Sequence, residues 1–133
     1  MKTLLKWIAG LLLLLVLGLG ALIAMSWAPD LPLEQLKARW APAPSQFIEL
    51  QGMSVHVRDE GPRDDPTPLL LLHGTSASLH TWDGWVEALK DKHRVIRVDL
   101  PGFGLTGPFP DANYRMPHYS AFIAGLMDKL GVQ

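Results

Sequence analysis

Four consecutive leucines, Leu69–Leu72, run into His73-Gly74-Thr75-Ser76-Ala77-Ser78, and the chemistry this stretch suits is stabilisation of an anion. A buried strand ending in His-Gly brings a sharp turn to the C-terminal edge of a sheet, where open α/β folds place their ligands. Gly74 lets the backbone turn without a Cβ clash. The backbone N–H groups after it are then free to point at a developing oxyanion, and one such donor is worth about 2.7–4 kcal/mol of barrier. Taken alone, His-Gly suits a plain strand-ending turn better.

A second loop, Asp99-Leu100-Pro101-Gly102-Phe103-Gly104-Leu105-Thr106, follows the next apolar run. Local Asx hydrogen bonding is enough to account for Asp99 as a structural residue. Gly102 to Gly107 also fits G-x-G-x-x-G, but a dinucleotide site needs a helix that opens at the glycines to hold the pyrophosphate. Pro101, Pro108 and Pro110 forbid that helix, and Asp128 falls on a helix and not at a strand end. The five histidines include no H-x-x-x-H pair, and no carboxylates join them at ligand spacing, so no metal site is expected. With no cysteine, disulfides, thiolate metal sites and a cysteine nucleophile are excluded.

The elements that must position these loops are legible from periodicity. Phe47–Leu50, the Gln51-Gly52 turn and Met53–Arg58 predict a hairpin, with Met53, Val55 and Val57 on one face. Residues 61–68 form a proline-rich loop. Leu69–Leu72 predicts a strand buried on both faces. Thr81–Asp91 predicts a helix capped by Thr81, with Trp82, Trp85, Val86 and Leu89 inward and Asp83 favouring the positive end. Arg94–Leu100 predicts another strand. Pro117 opens a second helix whose stripe is Tyr119, Phe122, Ile123, Leu126, Met127 and Leu130, closed by Gly131. A further strand is expected to begin at Val132 and Gln133. The order β-β-β-α-β-α describes an α/β sheet in which an antiparallel hairpin leads into parallel strands with crossover helices.

From Gln46 to Gln133 the two loops, in this order and between these elements, resemble the N-terminal portion of the α/β-hydrolase family, serine hydrolases and esterases included. The resemblance implies that Thr75 is the leading candidate for an oxyanion-hole backbone amide, with Ser76 a weaker one. It implies a structural part for the loop residues His73, Gly74, Asp99, Gly102 and Gly104. That family carries its nucleophile on a Gly-x-Ser-x-Gly elbow after the following strand, with acid and histidine later still. No such elbow occurs here. Ser45, Ser54, Ser76, Ser78 and Ser120 lie outside that context and none is nominated as a nucleophile. His56, on a strand face, and His80, His93 and His118, flanking helices, are expected to be surface or packing residues. The activity implied for the complete enzyme is cleavage of an ester, amide or related bond of a small-molecule substrate, by a Ser or Asp nucleophile and without a cofactor. This chain by itself is expected to be inactive. A non-catalytic membrane-tethered remnant or binding module is the other reading.

Ahead of this domain (46–133) lie two segments of different composition. Residues 1–28 are almost wholly apolar, and Trp7 to Trp27 contains no charge. At 1.5 Å per residue positions 7–27 reach about 31 Å, roughly the hydrocarbon thickness of a bilayer. The segment predicts a lipid partner and a single-pass transmembrane anchor. A cleaved signal is the competing reading, with Ala24-Met25-Ser26 or Ser26-Trp27-Ala28 as its small-residue site. Lys2 and Lys6 on the short tail keep the N-terminus cytoplasmic and put the domain in the periplasm or outside the cell. Residues 29–45 hold Pro29, Pro32, Pro42 and Pro44 around a helix-compatible piece, Leu33 to Trp40, and form a semi-rigid tether. Trp40 can fold back on the domain or rest at the lipid interface. The formal net charge of −1 over 133 residues gives no reason to expect nucleic acid.

Overall fold

The computed structural model describes residues 2–132. The chain divides into two compact units, Met1–Leu31 and Pro32–Gln133. The first is essentially one helix, α1 (Lys2–Ser26), none of whose side chains is buried. Leucine-rich sequence without β-branched runs favours helix. Its length and apolarity suffice to cross a membrane, a test that a signal sequence near the N-terminus also passes.

In the second unit, α2 (Leu33–Trp40) starts directly after Pro32, with Glu34 in its first turn and Lys37 and Arg39 in its last. Those charges complement the helix dipole. The helix lies on the domain: Lys37 Nζ sits 4.9 Å from the centre of the Phe47 ring. The Trp40 carbonyl accepts a 2.9 Å hydrogen bond from His80 Nε2. Trp40 therefore folds back against the domain.

A four-stranded sheet follows, made of β1 (Gln46–Leu50), β2 (Met53–Glu60), β3 (Leu69–Leu72) and β4 (Val95–Val98) in the order β1-β2-β4-β3. β1–β2 and β2–β4 are antiparallel, and β3–β4 is parallel, with Leu70 opposite Ile96. The hairpin turn has Gln51 and Gly52 both at positive φ, 51° and 77°. That is the turn whose twist matches the flanking strands.

The two sheet faces differ. Met53, Val55, Val57, Ile96 and Val98 form one, packed on Phe122 and Leu126 of α4 (Met116–Leu130). Pro117 lies in the first turn of α4, and Gly131 closes it at φ 65°, with the Val132 amide donating back to the Met127 carbonyl at 3.0 Å. The expected start of a further strand at Val132 is thus taken by this cap, and Gln133 lies outside the described residues. On the opposite face β2 carries His56 and Arg58 and β4 carries Arg97, all buried. β2 is therefore covered on both faces, where the alternation suggested one.

Three more expectations are corrected. The helix predicted over Thr81–Asp91 is a 3-10 turn, Leu79–Trp82, followed by a short α3 (Asp83–Leu89) with no side-chain cap from Thr81. Its start is set by Asp99, which accepts the Leu79 amide at 2.7 Å. Of the predicted stripe only Val86 is buried, and Trp85 is 61% exposed. β3 is only half-buried, with Leu72 41% exposed, because among the described residues only β4 pairs with it. The strand expected over Arg94–Leu100 is regular only from Val95 to Val98; its ends turn outward to serve ion pairs and the second loop.

This packing predicts unequal sensitivity to truncation. Phe122→Ala should lower stability by about 3–5 kcal/mol, whereas Trp85→Ala should stay within about 0.5 kcal/mol. Urea unfolding of the two variants followed by circular dichroism checks the contrast; equal losses would move Trp85 into the core.

Candidate functional site

Both candidate loops leave the sheet at the C-terminal ends of β3 and β4, and one side chain connects them. Asp99 is buried, 1% exposed. Its Oδ1 accepts the Leu79 amide at 2.7 Å, and its Oδ2 accepts the Leu105 amide at 2.8 Å. Oδ2 also lies 2.7 Å from His56 Nδ1. Burial pushes the carboxyl up, but the His56 hydrogen bond and the Leu105 and Leu79 amides together outweigh it and hold it below the usual carboxylate range. Gly104, at φ 54°, packs so closely that a Cβ there would overlap the carboxylate. Gly102, at φ 85°, faces the Tyr114 ring. The Asp99 bonds span 6, 20 and 43 residues, so the local Asx pattern expected from sequence is only a small part of its reach.

His73 makes a second clasp between the loops. Its Nδ1 lies 2.8 Å from the Gly74 carbonyl, and its Nε2 accepts the Leu100 amide at 3.0 Å. The second bond leaves only Nδ1 to carry the ring proton. Phe103 packs edge-on against the ring at 5.6 Å.

The loop between these clasps turns at a different residue from the one the sequence suggested. Gly74 does not adopt positive φ, and a Cβ there would meet open space. Ser76 instead sits at φ 57°, a left-handed conformation that L-residues adopt at about 1–2 kcal/mol. Its kink splits the candidate residues between two cavities. Thr75 lines one of about 720 Å³ with His73, Leu100, Phe103, Tyr119 and Ile123. Ser76 lines another of about 570 Å³ with Trp40, His80, Asp99 and Leu105. Among the described residues, the Thr75 and Ser76 amides donate no hydrogen bond within the protein. Tyr119 closes the floor of the larger cavity, its hydroxyl donating to the Pro101 carbonyl at 3.1 Å. Burial raises its pKa above the ordinary tyrosine value, with Tyr114 adding to the shift, so it remains a neutral donor.

His56 takes the second of the two places the sequence allowed it, in packing, with polar partners the sequence did not reveal. Expected on the surface or in packing, it is fully buried and bonded through both ring nitrogens, to Asp99 and, at 2.8 Å, to Ser45 Oγ. The only sequence signal was its place between Val55 and Val57 in a strand that also proves buried on its second face. Among the described residues no group of three or more His, Cys, Asp or Glu could hold a metal ion.

Comparison with known proteins follows this geometry. The sequence profile of one family, described as the alpha/beta hydrolase fold, matches residues 67–133. Epoxide hydrolase 2 of Caenorhabditis elegans is 31% identical over 74 residues, 55% of this chain and 21% of that protein. A haloalkane dehalogenase of Psychrobacter cryohalolentis is 36% identical over 80 residues, 59% of this chain and 26% of the other. The crystal structure of the Cif epoxide hydrolase from Acinetobacter nosocomialis superposes with a TM-score of 0.62 at 26% identity, covering 77% of this chain and 36% of that one. The chain thus spans about a fifth to a quarter of the length of these two sequence relatives.

The Asp99 hub predicts an acid-dependent variant effect. Its folded pKa lies below the unfolded value, so its contribution is complete above about pH 4 and is lost as pH falls from there through the folded value. Asp99→Asn should therefore be clearly less stable than the parent at pH 7, and the gap should narrow on acidification below pH 4. Thermal unfolding at pH 7 and pH 3 measures it; a gap that widens in acid would refute the assignment.

Proposed function

The chain belongs to the alpha/beta hydrolase fold family, and from that premise we propose that it is the N-terminal portion of a membrane-anchored hydrolase, with residues 1–28 as anchor and 29–45 as tether. The complete enzyme cleaves an ester, amide or related bond of a small-molecule substrate. The epoxide hydrolases and dehalogenase among its relatives widen the choice of bond, and the nucleophile, Ser or Asp, belongs to chain beyond these residues.

One observation carries the reading: among the described residues the Thr75 amide has no partner within the protein, and Thr75 lines the cavity at the C-terminal end of β3. An oxyanion donor must be aimed and unoccupied before the charge develops, and a loop clamped by His73 and Asp99 meets the first need without reorganisation. Ser76 is the weaker donor, because its kink turns it toward the other cavity. The free edge of β3 is where a next parallel strand would bring a nucleophile beside Thr75.

In a chain extended through a Gly-x-Ser-x-Gly-type elbow, Thr75→Pro should lower kcat by about 10²–10³-fold, and Thr75→Ala should change it little, since the donor is a backbone amide. Steady-state ester hydrolysis gives both values, and two harmless substitutions would remove Thr75 from the oxyanion hole. Proline is no clean probe at position 76, where φ 57° is closed to it.

The anchor has its own test. A spanning helix is held by apolar burial and not by charge, so the protein should stay with membranes through high-salt and carbonate washes. Recovery of soluble protein beginning near Ser26 or Ala28 would identify a cleaved signal instead.

A further inference from the structure

Three side chains from separate parts of the chain, Ser45, His56 and Asp99, form one hydrogen-bonded series. Ser45 Oγ lies 2.8 Å from His56 Nε2, and His56 Nδ1 lies 2.7 Å from Asp99 Oδ2. Asp99, held ionised and already accepting two amides, can only accept, so His56 Nδ1 donates, and in the neutral ring Nε2 is then the acceptor. Arg58 Nε, 2.8 Å from Ser45 Oγ, can only donate, so it occupies one oxygen lone pair and leaves the serine proton for the neutral His56 Nε2.

That is the polarity of a serine–histidine–aspartate nucleophile system, which is recognised by geometry and roles and not by position in the chain. The supporting parts are in place. His56 is fully buried and stacked on Phe47, with ring centres 5.1 Å apart and 19° between planes, so its orientation is fixed. Ser45 is half-buried, and its amide donates to the Pro42 carbonyl at 3.0 Å, which sets the backbone that presents Oγ. The Arg58 guanidinium beside Oγ favours an alkoxide over a hydroxyl. Its Nη1 is 3.9 Å from Asp83 Oδ1, an ion-pair distance beyond hydrogen-bond length.

The geometry points to Ser45 as an activated serine that takes up one acyl or phosphonyl group from a small, activated ester, at a place distinct from the Thr75 loop. In the step, the Ser45 hydroxyl proton passes to His56 Nε2 as Oγ bonds to the electrophilic carbon or phosphorus. The bond to the leaving group breaks, and that group departs with the proton returned from Nε2. For a fluorophosphonate the new bond is O–P, the broken one P–F, and hydrogen fluoride leaves. The product is a stable adduct and not turnover, since no residue here is assigned to activate water for its release.

The experiment treats the full chain in detergent with a small alkyl fluorophosphonate and maps the adduct by peptide mass spectrometry. One phosphonyl group on Ser45 is expected, absent in Ser45→Ala, with labelling slowed by about 10²-fold or more in His56→Gln. The unaltered protein decides the matter without relying on the fold of any variant. No adduct at Ser45, or an adduct at another serine in its place, overturns the proposal and leaves the three residues as a packing network. Equal labelling rates in the parent and in a folded His56→Gln do the same.

Discussion

The Asp99 carboxylate is a full charge held almost entirely out of water. A group of this kind is tolerated only when every lone pair that faces protein is matched by a donor. Here the donors are the Leu79 amide, the Leu105 amide and the His56 ring. Each comes from a different part of the chain, so satisfying one charge fixes three segments at once: the 3-10 turn after the first loop, the body of the second loop, and the middle of β2. Gly104 follows from the same demand, because only a residue without Cβ lets the second loop wrap that closely.

The polar face of the sheet extends this logic. Arg58 and Arg97 lie directly opposite each other across β2 and β4, a pairing of like charges that would by itself destabilise the ladder. Glu60 takes Arg97 Nη2 at 2.8 Å, and Asp83, at the start of α3, takes Arg97 Nη1 in a close ion pair. Burial pushes Asp83 up, yet Arg97, with His80 and Arg58 behind it, carries it below its ordinary value. α3 is thus held to this face by charge as well as by Val86 and Leu79. On the other face Asp59 receives Arg94 through two nitrogens, at 3.0 and 2.9 Å, and Arg94 also reaches the Leu130 carbonyl at the end of α4. α3 is thus joined to the strands through Arg97, and the end of α4 through Arg94.

What the sequence revealed and what it hid divide along the range of the interactions. The hairpin turn at Gln51-Gly52, the cap at Gly131 and the stripe from Tyr119 to Leu130 depend on neighbours within a few residues, and all three were legible. The fold class followed from the order of such elements. The start of α3 was misplaced because an amide–carboxylate bond over 20 residues outweighs the local appeal of a Thr81 cap. The hydrogen bonds of His56 were not legible because they run to Ser45 and to Asp99, 43 residues beyond the histidine. The strained turn at Ser76 was hidden by Gly74, the residue that composition nominates for positive φ and that does not use it. The exposure of β3 was hidden too, since a leucine run has the same pattern in an interior strand as at an edge.

Asp99 also explains how one small domain can carry two chemically distinct places on a shared support. Through Leu79 it ends the loop that holds Thr75 and Ser76, and through His56 it orients the hydroxyl of Ser45. The two oxygens do different work: Oδ1 serves the loop alone, while Oδ2 is shared between His56 and the Leu105 amide. Protonating either oxygen would convert an acceptor into a donor facing a donor, and both arrangements would fail together. A carboxylate held ionised by its surroundings avoids that conflict across the neutral pH range, which is the condition under which free loop amides and a proton-accepting histidine can coexist in one small domain.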